Sequence, residues 1–255
     1  MARPRNDPGD VFGRAELALA GRMTPRNYDY LVGEGLMPNE HDVRALKRCA
    51  VIGAFGAAGV PLLLAAYLAR GILDEFNQAD GEAASGLNNL LSSFPPRARN
   101  WIGDRLPKTG DFNDYWLHRA LRQHPHHRAG RACQGDALIE IVDREYVFVD
   151  TRSSPPLHRD YEAEKRLPPT MTVFGRIDGW RRNAAPQVAH FLSQLPPIGS
   201  PSHADEAERL IDAFADAREN AVATTRVNVS LAIRRALDDI AAHRENRLIK
   251  GQSDD

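Results

Sequence analysis

The chain has 255 residues, 42% apolar and 26% charged, with a formal net charge of −1. That length and composition suit one large or two small globular domains and exclude wholesale disorder. The near-neutral charge excludes a general electrostatic pull toward nucleic acid, and the two cysteines, Cys49 and Cys133, exclude a disulfide framework and fit a reducing compartment.

Residues 1–10 are polar, with Pro4, Pro8 and Gly9, and read as a flexible arm. They lack the apolar core of a secretory leader. Residues 11–38 read as two short helices joined by a tight turn. The first, over 11–20, puts Phe12, Leu17 and Ala20 on one side. Gly21 is expected to take the left-handed conformation that closes it. Thr24 then caps a second helix with Pro25 at its first position, where a missing N–H costs nothing. Tyr28, Leu31 and Val32 form its buried stripe, and Gly35 stops it. Helix, short turn, helix is the geometry that sets a second helix into the DNA major groove.

Thr24, Tyr30, Gly35, Leu36 and Pro38 resemble the start of the MerR-like helix-turn-helix family. The resemblance continues through 42–55 as the next helix, Gly59-Val60-Pro61 as its turn, and 62–69 as a fourth helix, so it covers about residues 11–73. It implies a DNA-binding regulator with a recognition helix opened by Thr24. Three departures stand out: Asp29 where the family has Arg, Leu31 at the second aromatic position, and Val32 for Glu. The wing is nearly absent, because only Asn39, Glu40 and His41 separate Pro38 from the next helix.

Residues 49–69 run for 21 positions without a charge, long enough to span a bilayer. Gly53, Gly56, Gly59 and Pro61 interrupt the run, and the family resemblance breaks it into two buried helices; no membrane partner is expected. Residues 72–93 read as a helical continuation ended by Pro95-Pro96. Residues 97–132 carry eight Lys and Arg against three Asp, interleaved with Trp101, Phe112, Tyr115 and Trp116. This is read first as a solvated helix face, and second as a surface for a phosphate backbone. His118, His124, His126, His127 and Cys133 match no closed zinc spacing, so no metal is expected.

The clearest β signal is 137–151: one strand over 137–142, a turn at Asp143-Arg144, and a return over 145–150. Residues 171–177 are a third strand. Asp136, Glu140, Asp143 and Asp150 do not converge, because alternation sends strand neighbours to opposite faces. No nucleophile triad, phosphate loop or paired-carboxylate site is present, so the chain is not read as an enzyme and no cofactor is expected. IDGWRRN, with Arg176, Arg181 and Arg182, reads as a charged turn, and 186–195 as a short helix. Residues 202–246 read as mainly helical, with Ser202 as a cap and a second stripe at Val229, Ile233, Leu237 and Ile240; TRVNVS at 225–230 is the strand alternative. That stripe either packs on the chain's own sheet or pairs with its copy in a homodimer.

The expected fold is α+β, mainly α: a helix-turn-helix domain over 11–75, a connector over 76–96, a basic helical segment with a small antiparallel β domain over 97–200, a helical region over 201–247 and a tail over 248–255. The expected function is a cytoplasmic, DNA-binding transcriptional regulator. Its contacts to double-stranded DNA would come from Arg22, Thr24, Arg26, Asn27 and Tyr30, with Lys47 and Arg48 on phosphates. The alternatives are a protein-interaction module that kept the helix-turn-helix shape, which Asp29 and the missing wing favour, and a membrane-anchored protein.

Overall fold

The computed structural model describes residues 12–78, 120, 132, 136–149, 172–178, 187–197 and 199–252. The chain is an α+β protein, mainly α, in which four N-terminal helices precede a small antiparallel sheet. The helices are α1 (Arg14–Ala20), α2 (Pro25–Gly33), α3 (Val43–Ala57) and α4 (Leu62–Gln78). The strands are β1 (Leu138–Val142), β2 (Tyr146–Val149), β3 (Thr172–Asp178), β4 (Gln187–His190) and β5 (Thr224–Asn228). Helix α5 (His203–Glu219) precedes β5, and α6 (Val229–Gln252) follows it directly.

The helix ends follow from local chemistry. Thr24 Oγ1 accepts from Asn27 N–H at 3.2 Å, and Asp42 Oδ1 accepts from Arg44 and Ala45 N–H at 2.9 and 3.0 Å. Helices α2 and α3 close in the same way. Gly35 (φ 67°) and Gly59 (φ 82°) turn left-handed, and Leu36 and Val60 then donate back to Leu31 and Phe55. Each pair of apolar residues is buried, which seals the closure. The uncharged run 49–69 is thus two helices broken at Ala58–Pro61. Among the described residues no helix is long and apolar enough to cross a membrane.

The sheet runs β4-β3-β2-β1-β5, antiparallel throughout. Asp143 (φ 49°) and Arg144 (φ 60°) make the β1–β2 turn, the primed geometry whose twist matches a hairpin. Alternation divides the strands between two cores. Ile139, Ile141, Val147, Val149 and Val227 join the core built by α1, α3, α4 and α6. Val142 and Phe148 face the other way, into a smaller core with Phe191, Ile211 and Phe214. Helix α5 covers that face, with the ring of Phe214 edge-on to Tyr146, Phe148 and Phe191.

One element differs from expectation, and one open alternative is decided. Residues 187–190 are a strand followed by a 3-10 turn, Phe191–Gln194, and not a helix. The edge of β3, the preceding strand in sequence, takes them as its antiparallel partner, and that pairing overrides local preference. In the mainly helical 202–246 region the strand alternative at 225–230 is realised as β5, where β-branched Thr224, Thr225 and Val227 complete the other edge against β1. Ser202 holds the cap position of α5, but its side chain makes no cap bond. The Val229, Ile233, Leu237 and Ile240 stripe is buried, and α6 packs on α1 and α3, so the stripe serves the chain's own core. The histidine-rich loop, the aromatics of 97–132, Asp150, Trp180, Arg181 and Arg182 lie outside the described residues.

Candidate nucleic-acid interface

The candidate surface is the α1–turn–α2 unit. Helix α1 begins with one half of a capping box, in which Gly13 N–H donates to Glu16 Oε2 at 2.7 Å. Arg244, from α6, donates to both Glu16 oxygens, and its guanidinium carbon lies 5.7 Å from the centroid of the Phe12 ring. Burial alone would raise the Glu16 pKa. Hydrogen bonds from Arg244 and Gly13, with the charges of Arg244 and His243, outweigh it and hold the carboxyl below its usual value. The C-terminal helix therefore braces the first helix of the unit.

The turn between the helices departs from expectation at one residue. Gly21 has an ordinary φ of −85°, and Arg22 takes the left-handed conformation at φ 48°. Arg22 and Met23 donate to Leu19 and Ala18, the same closing pattern that Gly35 and Gly59 serve in α2 and α3. The three frames are ALAGRM at 18–23, LVGEGL at 31–36 and FGAAGV at 55–60. Aligned this way, Arg22 stands where the other two have glycine, and that alignment was the sequence signal for it. Gly21 is small for a different reason: it lies against α3, where an added Cβ would be 3.3 Å from Cys49 O. Cys49 is fully buried there, and burial pushes its thiol pKa up.

Helix α2 buries Tyr28 and Leu31 and half-buries Val32, as its stripe requires. Its other side is exposed. Arg22, Thr24, Arg26 and Asn27 all face solvent, and Tyr30 is 49% exposed. These five of the seven expected contact residues share one surface segment. Asp29 is on it too, but Arg14 of α1 forms an ion pair with it and also reaches Pro25 O at 3.4 Å. The partner that neutralises Asp29 lies 15 positions upstream, in another helix, and no local pattern announces it.

Lys47 and Arg48 are corrections. Lys47 is 2% exposed and Arg48 is directed inward, donating to Leu36 O at 3.2 Å and pairing with Asp74. Neither is placed to hold a phosphate. Lys47 follows Val43 by four positions and precedes Ala50 by three, so it falls on the buried side of α3. Among the described residues no group of three or more His, Cys, Asp or Glu is arranged to hold a metal. The strand carboxylates are engaged elsewhere. Asp136 bonds Arg234 and Asn228, Glu140 bonds Arg218 and Arg226, and Asp143 accepts from Ala223 N–H at 2.8 Å.

Comparison with family models, with curated proteins and with solved structures found no match to this chain.

Proposed function

We propose that this protein binds double-stranded DNA through α2, in the manner of a MerR-like transcriptional regulator working in the cytoplasm. One observation carries the reading. The exposed side of α2 and its preceding turn present Arg22, Arg26, Asn27 and Tyr30 together, while Tyr28 and Leu31 anchor the opposite side in the core. Arginine pairs with guanine and asparagine with adenine at major-groove edges. The Arg14–Asp29 pair removes the repulsion that a bare carboxylate on this face would bring. A homodimer would read two half-sites.

The test is competition between specific and mixed-sequence duplexes, after selection of a preferred site from a random pool. Arg26→Ala should weaken specific binding by about 1–3 kcal/mol and relax the preference at one base position. Equal affinity and unchanged preference would remove Arg26 as a base contact.

A second reading is favoured by a specific observation. Lys47 and Arg48 are engaged internally, so α3 supplies no phosphate grip beside α2. A protein-interaction module that uses the same α2 surface fits that loss. The two readings part on salt: a phosphate-contacting interface weakens steeply as salt rises.

A further inference from the structure

On the α5-covered face of the sheet, one carboxylate holds two guanidiniums. Glu140 of β1 is 3% exposed. Arg218, in the last turn of α5, donates through Nε to Glu140 Oε1 at 2.6 Å. Arg226 stands directly opposite Glu140 in the β1–β5 register, and donates to Oε2 through Nε at 3.1 Å and Nη2 at 2.5 Å. The cluster carries two positive charges against one negative. Among the described residues no other carboxylate pairs with either guanidinium.

We propose that Arg218 and Arg226 form a binding site for a small phosphate-class oxyanion at the edge of the sheet, with Glu140 as the buried group that positions both. Three features support it. The uncompensated charge favours an anion. The donors are fixed before a ligand arrives: the Arg218 guanidinium carbon lies 5.7 Å from the Phe148 ring centroid, and Arg226 sits on a paired strand. Donors remain, because a guanidinium offers five N–H groups and Glu140 takes only Nε of Arg218 and Nε and Nη2 of Arg226. Arginine's planar fork matches phosphate oxygens. Arg226 is 57% exposed at its side chain, which leaves the site open to solvent. The site lies on α5 and β5 and does not depend on the DNA reading.

The experiment is isothermal titration calorimetry of the full chain with inorganic phosphate, at constant ionic strength in chloride. The wild type should bind. Arg226→Gln should weaken binding at least tenfold, and it should stay folded because Glu140 keeps Arg218 as a one-to-one partner. Arg226→Lys, which keeps the charge and loses the fork, should also bind more weakly and serves if the glutamine variant unfolds. Arg26→Gln should bind phosphate like the wild type. No binding by the wild type, wild-type affinity in both Arg226 variants, or loss in Arg26→Gln instead would each overturn the site. Displacement of phosphate by duplex DNA in Arg26→Gln would reassign it from a free ligand to backbone phosphodiester.

Discussion

Gly53 of α3 meets Gly21 backbone to backbone. A Cβ added at Gly53 would stand 2.8 Å from Gly21 O and 2.9 Å from Gly21 C, and neither atom can rotate away. This contact sets how closely α3 approaches the end of α1, and so the seat of the turn that carries Arg22.

That contact reverses an ordinary preference. Alanine is the better helix former by about 1 kcal/mol. Gly56→Ala, at an exposed site on the same helix with nothing within 4 Å of an added Cβ, should therefore stabilise by about 0.5 kcal/mol. Gly53→Ala should destabilise by about 1–3 kcal/mol, because the helices must separate. Urea unfolding of the two variants checks the difference in sign.

Arg22 should separate stability from binding. A non-glycine residue held in the left-handed region costs about 1 kcal/mol. Arg22→Gly should relieve that and raise the unfolding free energy by about 1 kcal/mol, while DNA affinity falls and the salt slope shrinks by about one. A variant that is more stable and binds as well as the wild type would free Arg22 of any role at the surface.

The Glu16–Arg244 brace should appear in the acid limb of stability. The Glu16 pKa is lowered in the folded chain from a usual value of 4.5. The unfolded state then binds more protons as pH falls, so the stabilisation is complete above about pH 5 and is lost as pH drops through the folded value. Arg244→Leu leaves a mostly buried carboxylate without its cation and should cost about 3 kcal/mol at neutral pH. Its stability should also change less steeply below pH 4.5 than that of the wild type. Thermal melts of both proteins across that range test this; parallel curves would contradict the brace.

The ends of α2 and α3 were legible because their causes are local. Thr24, Asp42, Gly35 and Gly59 act on atoms within a few residues, and the sequence carries both partners. The β1–β2 hairpin was legible for the same reason. What the local pattern left open or missed depends on pairing. Strand β5, offered only as the alternative to a helix, is fixed by the edge of β1 far upstream, and β4 is a strand because it pairs with β3, its neighbour in sequence. The site divided along the same line. Exposure of Arg26 and Asn27 followed from the α2 stripe, whereas the internal bond of Arg48 to Asp74 spans 26 positions. The second guanidinium on Glu140 comes from a helix 78 positions away, and alternation alone says only which face Glu140 occupies.

The most direct measurement is fluorescence anisotropy of the full chain with labelled duplex DNA across a salt titration. With Arg26 on a base edge, exposed Arg22 in the turn before α2 is the phosphate contact and predicts a slope of log affinity against log salt near −1 per bound copy. A dimer should double it. Absence of binding at low salt, or an affinity indifferent to salt, would contradict DNA recognition by α2 and leave the protein-interaction reading in its place.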